Sequence, residues 1–173
     1  SGFVGEEIEP ILFSSDRNFR PTDLQFGPDG ALYIVDWFNP LIGHMQHNMR
    51  DPNRDHEHGR VYRVTYKGRD LVKPAKMKGK PIAEVCQNFF AKEDSTRYRA
   101  RLELTGRTAD AIRKDVTAFA SKLDVAEEDD AQALLECLWV FEEQRIPNLD
   151  LLRTVFKAAD PRVRAAAIRT LGH

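Results

Sequence analysis

"PTDLQFGPDGALYIVDWF", residues 21–38, decides the fold of the first part of the chain. Leu24 and Phe26 alternate with polar residues, which predicts a strand with one apolar face. The Gly-Pro-Asp-Gly run at 27–30 has the composition of a tight turn. A second strand is predicted from Ala31 to Val35, and it is mostly apolar on both faces, as in a strand between two layers. The stretch therefore predicts a strand, a turn and a strand.

The segments on either side extend this sheet. A third strand is predicted in "GRVYRVTY", beginning at Arg60, and "EPILFSS" at 9–15 is a candidate fourth strand. The second and third strands are joined by a His-rich connection, residues 37–59, that is too long for a tight hairpin. Connections of this length without regular structure are usually functional or disordered.

The second half of the chain predicts helices. Residues 68–81 are basic and rich in Pro and Gly, which predicts a linker. Beyond them, apolar residues recur every three or four positions, as on the buried face of a helix. The four clearest stripes are Ile82, Val85, Cys86, Phe89 and Phe90; Ile112, Val116, Phe119 and Leu123; Leu134, Leu135, Leu138 and Phe141; and Leu151, Leu152, Val155 and Phe156. A fifth helix is predicted to begin at Asp160 and Pro161 and to end at Gly172.

Two of the helical segments resemble each other. "RYRARLELTG" from Arg97 and "RVRAAAIRTLG" from Arg162 share Arg-x-Arg-Ala and both follow an Asp. Weak self-similarity among short amphipathic helices is typical of an α-solenoid, so residues 82–173 are predicted to form HEAT-like repeats. The acidic run from Val125 to Ala131 predicts a helix N-terminus, where carboxylates are favourable.

Composition excludes several classes of protein. The chain has 173 residues, enough for one domain or two small ones, and a net charge of −1 gives no indication of a nucleic-acid partner. Cys86 and Cys137 form no metal or haem motif, and both lie on apolar stripes, so buried free thiols are predicted. No apolar run approaches the ~20 residues of a membrane span. A chain that begins Ser-Gly without Met is typical of an excised piece.

The residues at 21–37, P-x-D-L-x-F-G-P-D-G-A-L-Y-I-V-D-W, resemble a blade of the β-propellers in the soluble glucose and sorbosone dehydrogenase family. The continuation, "DWFNPLIGHMQHNMRDPNRDHEHGRVYRV" with helices behind it, is similar to the membrane-bound dehydrogenases of planctomycetes and related bacteria. The resemblance is close over residues 20–65 and loose over the helical half. It implies an α+β chain in which 1–67 form an incomplete last propeller blade and 82–173 a HEAT-like α-solenoid.

The resemblance also implies a function. The parent protein would be a periplasmic, exported or cell-surface oxidoreductase that oxidises a sugar or related alcohol and passes electrons to a quinone or to a c-type haem domain. Pyrroloquinoline quinone and calcium would lie in a central cavity built by several blades, the remaining ones being upstream of this chain. The catalytic histidine is expected on an earlier blade, so no catalytic residue is assigned here and this part alone is expected to be inactive. The alternative is a non-enzymatic carbohydrate- or protein-binding scaffold.

The His-rich loop allows three hypotheses. The first is a metal site, in which His44 and His47 share a helical face and His56 and His58 share a face of a strand. Zinc, copper or iron would suit these imidazoles, with Asp51 and Asp55 completing the ligand sphere. Three arginines in the same stretch, Arg50, Arg54 and Arg60, oppose a cation.

The second hypothesis is a cofactor- or substrate-facing loop over the propeller mouth. Arginines would pair with the carboxylates of a quinone, Trp37 would stack on a flat ring, and histidines would move protons. The candidate cofactor-binding residues are Trp37, His47, Arg50, Arg54 and His56. The third hypothesis is a structural plug, in which the pairs Arg50–Asp51 and Arg54–Asp55, together with the histidines, form hydrogen bonds that fix the loop against the solenoid.

Replacement of His47, Arg50 and His56 separates the last two hypotheses. If these side chains face a ligand, the triple variant of the parent enzyme loses activity at an unchanged melting temperature. If they form a plug, the melting temperature falls instead. Thermal melting and activity measured on the same preparation distinguish the outcomes.

Overall fold

The computed structural model describes residues 4–40, 51, 52 and 54–170. The chain divides into two compact units, Ser1–Leu71 and Val72–His173. Over the described residues, the first unit contains a three-stranded antiparallel sheet and the second contains six α-helices. The predicted α+β class is therefore confirmed.

The sheet is a simple meander. Strands β1 (Pro21–Phe26), β2 (Leu32–Asp36) and β3 (Arg60–Val64) lie in the order β1-β2-β3. The predicted strand–turn–strand unit and the third strand from Arg60 are both confirmed. Residues 9–15, the candidate fourth strand, are described but lie outside any strand. Across the sheet Leu24 is opposite Ile34, which is opposite Tyr62, so one face is apolar.

The turn between β1 and β2 follows from its residues. Gly30 has φ of +75°, a left-handed conformation that glycine adopts at little cost. The Gly27 N–H donates to the Ala31 carbonyl at 2.9 Å, and the Asp29 carboxylate accepts the Ala31 N–H at 3.1 Å. Asp29 also pairs with Arg63 of β3. One aspartate thus holds the turn and the third strand together.

The helices of the second unit follow the predicted stripes. They are α1 (Ile82–Cys86), continued by a 3₁₀ turn at Gln87–Phe90, α2 (Asp94–Thr105), α3 (Ala109–Ala120), α4 (Glu128–Glu143), α5 (Leu149–Val155) and α6 (Pro161–Arg169). The Asp160 side chain accepts the Arg162 N–H at 2.7 Å, which confirms the predicted start of the last helix. Gly172 lies outside the described residues. The predicted acidic N-terminus is that of α4.

The core lies between neighbouring helices. Helix α1 packs on α3, α2 packs on α4, and α4 packs on α6.

Cys86 and Cys137 are buried and free, as predicted. Burial raises the pKa of the Cys86 thiol to about 12 and that of Cys137 well above its usual value, so neither thiol is nucleophilic. No helix in the described part of the chain is long and apolar enough to cross a bilayer.

The segment before α1 packs on the helices. Residues 72–80 contain neither helix nor strand, yet Met77 is 7% exposed and belongs to the helical core. The Gly79 N–H donates to Glu103 Oε1 at 2.9 Å, and Arg107 Nη2 donates to the Lys80 carbonyl at 2.9 Å. The second half of the predicted linker is therefore fixed to α2 and the residues after it.

The self-similarity of the two arginine-rich helices has a structural counterpart. Arg97 Nη1 donates to the carbonyls of Ala91 and Lys92, and Arg164 Nη1 donates to the carbonyls of Ala158 and Ala159. Each arginine thus reaches back to the residues just before its own helix. The sequence comparison paired Arg97 with Arg162, whereas the hydrogen bonds pair it with Arg164. The two pairings differ by two residues because the sequence comparison aligns identical residues, whereas the hydrogen bonds align positions counted from the first residue of each helix.

A buried carboxylate joins α2 to α4. Glu136 is fully buried, and its carboxylate accepts hydrogen bonds from Arg97 Nε at 3.0 Å, from Gln132 Nε2 at 2.9 Å and from Arg101 Nη1. Arg101 also contacts Glu143 at 3.0 Å, and its guanidinium lies 4.9 Å from the Trp139 ring centre. The charge of Glu136 is therefore fully compensated inside the helical unit.

We expect Glu136→Ala to destabilise the helical unit by about 3–5 kcal/mol, because it leaves two largely buried guanidinium groups without their shared carboxylate. Chemical denaturation followed by circular dichroism measures the change. Glu142→Ala, at a partly exposed position of the same helix, is the matched control. Equal effects of the two substitutions would contradict the assignment of Glu136 as the link between α2 and α4.

Candidate functional site

The His-rich loop begins and ends at the same end of the sheet. It leaves β2 after Asp36 and enters β3 at Arg60, and these two residues are opposite each other in the strand register. Of the loop, the structure describes residues 37–40, 51, 52 and 54–59. His44, His47 and Arg50, which the sequence analysis placed in a metal or cofactor site, lie outside the described residues.

The two ends of the loop are held together by Asp36, which is 1% exposed. Its Oδ1 accepts the backbone N–H of Arg20 at 2.7 Å and that of Phe38 at 2.9 Å. Its Oδ2 accepts Arg60 Nε at 2.8 Å and lies 2.7 Å from Arg60 Nη2. We name this arrangement the Asp36–Arg60 clasp. It fixes the segment before β1, the start of the loop and β3 through one carboxylate.

The clasp continues outward through Arg60. Arg60 Nη1 pairs with Asp16 Oδ2 at 2.7 Å, and its guanidinium lies 4.1 Å from the centre of the Phe38 ring. Phe38 has φ of +56°, an uncommon conformation for a residue with a Cβ. The Asp36 hydrogen bond to its N–H and the stacked arginine hold it there. The backbone therefore turns sharply at the residue after Trp37.

Burial and hydrogen bonding shift the pKa of Asp36 in opposite directions. Burial alone would raise its pKa, but the N–H groups of Arg20 and Phe38 and the Arg60 guanidinium outweigh it, so the pKa lies below the usual value. Asp36 is therefore ionised at neutral pH. A carboxylate with every oxygen engaged is a structural group here and has no capacity for a metal ion.

Trp37 and Arg54 form a cation–π pair in which the ring is half exposed and the arginine is partly buried. The Arg54 guanidinium lies 4.8 Å from the centre of the Trp37 ring, and Trp37 is 51% exposed. The Arg54 N–H donates to the Asp51 carbonyl at 3.1 Å, which forms a local turn and fixes the arginine backbone. We name this pair the Trp37–Arg54 platform. It presents an aromatic surface and a positive charge beside the clasp.

The two described histidines of the loop have separate partners. His58 Nδ1 lies 2.8 Å from Asp55 Oδ2, while His56 Nε2 lies 3.3 Å from the Asp51 carbonyl oxygen. The pKa of Asp55 is lowered, first by the Glu57 N–H and then by His58. Among the described residues, Asp55 pairs with His58, whereas the plug hypothesis paired it with Arg54.

Of the two cofactors that the resemblance implies, the described residues suit the quinone better than calcium. A quinone that carries carboxylates suits the Trp37–Arg54 platform, because an aromatic face and a guanidinium match a flat anion. Calcium needs several free oxygen ligands, but Asp36 and Asp55 are already engaged by arginine, histidine and backbone N–H groups. Within the described residues, no group of three or more His, Cys, Asp or Glu side chains could hold a metal ion.

The sequence analysis did not assign the clasp. Asp36 entered it only as one residue of the motif that carries the family resemblance, and Arg60 only as the start of the third strand and as a charge that opposes a metal. A usable signal was present, because Asp36 follows an apolar strand and a buried aspartate is almost always paired. Its arginine partner lies 24 positions away, and only the strand pairing identifies it.

A match to a known protein family was found for the first unit only. Residues 5–68 match a family described as "Domain of unknown function (DUF7133)". This match spans the sheet, the clasp and the platform, and it ends before the helical unit. No curated protein matches the chain, and no solved structure matches it.

We expect Asp36→Asn to destabilise the chain by about 2–3 kcal/mol at pH 7, because Arg60 loses its buried carboxylate partner and keeps only the more exposed Asp16. A carboxylate with a lowered pKa stabilises the fold above its unfolded value of ~3.9, and this contribution is lost as pH falls through the folded value. The difference in melting temperature between the native chain and the variant should therefore shrink below about pH 4.

Asp23→Asn, at an exposed position on β1, is the control and should change little at any pH. A difference between Asp36→Asn and the native chain that stays constant from neutral to acidic pH would contradict the role of the ionised clasp.

Proposed function

We propose that the chain belongs to an exported, quinone-dependent sugar or alcohol dehydrogenase, in which the first unit closes a β-propeller and the second begins a HEAT-like solenoid. The observation that carries the proposal is the Trp37–Arg54 platform, held at the end of the sheet by the clasp. The platform would face the cofactor or substrate at the propeller mouth. The catalytic residue would come from another blade.

The exposure of strand β1 supports the propeller part of the proposal. All six residues of β1 are exposed, and Leu24 and Phe26 are 62% and 67% exposed. An open edge strand with exposed apolar side chains is typical of a sheet that packs against further strands. In a propeller, neighbouring blades would cover this face.

The helix contacts support the solenoid part. Helices α2, α4 and α6 contact one another in succession, and α1 contacts α3. Arg97 and Arg164 also make equivalent hydrogen bonds at the starts of α2 and α6. Equivalent bonds on alternate members of a helix row are what a degenerate repeat predicts.

The chemistry of the loop supports an anionic, flat ligand. Arg54 supplies a fixed positive charge, and Trp37 supplies a flat apolar surface. His56 and His58, on the same loop, are exposed. Pyrroloquinoline quinone, when bound, would supply the hydride or electron acceptance. A c-type haem domain would then be the electron acceptor of the parent, located in the periplasm or at the cell surface.

A non-enzymatic carbohydrate- or protein-binding scaffold is the second candidate. The half-exposed Trp37 ring favours it, because a tryptophan with an apolar face and an arginine neighbour is a frequent anchor in binding surfaces. Both candidates use the same platform, and the ligand distinguishes them.

Titration calorimetry with pyrroloquinoline quinone, with and without calcium, tests the proposal on the longer protein that carries this chain behind the remaining blades. We expect calcium-dependent binding, with the calcium ligands supplied by the remaining blades, that weakens about tenfold or more in Arg54→Ala, because a guanidinium pairs strongly with a carboxylate. Arg17→Ala, at an exposed arginine of the same unit, is the control and should bind as the native protein does.

Absence of quinone binding by the folded longer protein would contradict the dehydrogenase assignment. Binding of an oligosaccharide that Trp37→Ala abolishes would then support the scaffold. Quinone binding that Arg54→Ala leaves unchanged would place the cofactor away from this loop.

A further inference from the structure

The helical unit contains a basic cleft that the proposed function does not use. It lies between the extended segment before α1 and helix α2, and it has a volume of about 640 Å³. Lys76 and Lys78 line it from the segment, and Arg99 and Leu102 line it from the helix. We name it the Arg99 cleft. All of its lining residues belong to the second unit.

Arg99 differs from its neighbours on and after α2. Arg97, Arg101 and Arg107 each make hydrogen bonds to carboxylates. Arg99 Nε and Nη2 are buried and have no hydrogen-bond partner in the part of the chain that the structure describes. An unpaired buried donor on a charged group is costly, so a partner that arrives from outside would relieve the cost.

The two unpaired nitrogens define which acceptor they fit. Nε and Nη2 lie on the same edge of the guanidinium, and their N–H groups point in parallel. This edge matches the two oxygens of a carboxylate, and the resulting bidentate pair is strong and specific. This edge, which we name the Arg99 fork, therefore has the geometry that an oxyanion requires, on a residue that lines the cleft.

The charge around the fork favours an anion. Lys76 and Lys78 are exposed and add positive charge. Glu103 also lines the cleft, but its Oε1 already accepts the Gly79 N–H at 2.9 Å and Arg107 Nη2 at 2.9 Å. The acidic residue of the cleft is thus compensated, and the three cations are left to act on a ligand.

The size and apolar lining favour a peptide over a small ion. The volume of about 640 Å³ lies in the range of sites that hold drug-sized ligands. Leu102, which is 47% exposed, contributes apolar surface beside the charges. An acidic side chain flanked by an apolar one would satisfy both parts of the lining.

We propose that the Arg99 cleft binds an acidic peptide segment of a partner protein, with one carboxylate held by the Arg99 fork and by Lys76 and Lys78. The fork is shielded from water in the free chain. Binding therefore includes movement of the flexible side chains that line the cleft, as is common at protein interfaces. The contact is electrostatic in part, so it weakens as salt concentration rises.

The test uses the full 173-residue chain and a short capped peptide of alternating glutamate and leucine. Titration calorimetry gives the affinity, and the Nε–H resonance of Arg99 in a nitrogen-proton NMR spectrum reports the fork directly. We expect saturable binding that shifts this resonance and that weakens about tenfold or more in Arg99→Met. Arg99→Lys keeps the charge but removes the fork, so it should also weaken binding.

The controls separate binding from folding. Arg153→Met, at an exposed arginine of α5, should bind as the native chain does. Arg99→Met should melt at the native temperature or above it, because an unpaired buried charge is removed. A lower melting temperature in Arg99→Met, without an Arg99 shift in the titrated native chain, would overturn the proposal in favour of a structural role.

The identity of the ligand is tested with two further probes. A matched peptide of glutamine and leucine should not bind, and equal binding of this neutral peptide would overturn the requirement for a carboxylate. Inorganic phosphate should compete only weakly. Phosphate binding in the absence of peptide binding would overturn the peptide assignment and leave a small-anion site.

Discussion

The sheet-containing unit depends on one buried carboxylate at the end of its central strand. Asp36 is nearly inaccessible to water, and it is stable there because two backbone N–H groups and the Arg60 guanidinium replace its hydration. The same interactions join β3 to the segment before β1 and set the left-handed turn at Phe38. The position of Trp37, and with it the platform, therefore follows from the burial of Asp36.

The helical unit solves a similar problem at Glu136, where arginines of one helix compensate a carboxylate of another. The two networks differ in what they leave exposed. The clasp adjoins the platform with its half-exposed Trp37 ring, whereas the arginines of the Glu136 network pair outward with the carboxylates of Asp94 and Glu143. Arg99, on the same helix as two of the Glu136 partners, is excluded from that network and faces a basic cleft. This unsatisfied cation beside a satisfied cluster is the feature on which the proposed binding at the cleft rests.

The elements were predictable because their signals are local. Alternation at Leu24 and Phe26 with a Gly-Pro-Asp-Gly turn gave β1 and β2, and the stripes gave the helices. Helix α2 was harder, because Arg97, Arg99 and Arg101 interrupt its apolar pattern; only its likeness to the last helix indicated it. The candidate strand at 9–15 was wrong, because an apolar run alone does not supply a pairing partner. Within the candidate site, Trp37, Arg54, His56 and His58 were singled out by composition, but their partners were not.

The sequence by itself determined the order of strands and helices, the buried state of both cysteines, the Asp160 helix start and the polar character of the loop. These depend on neighbours a few residues apart, where periodicity, turn geometry and capping act. Only the tertiary structure decided that Asp36 pairs with Arg60, that Arg54 lies on Trp37 and that Arg97 corresponds to Arg164. Each of these depends on which residues folding brings into contact. Many arginines are equally suitable partners for a carboxylate, and the strand register and helix packing select one of them.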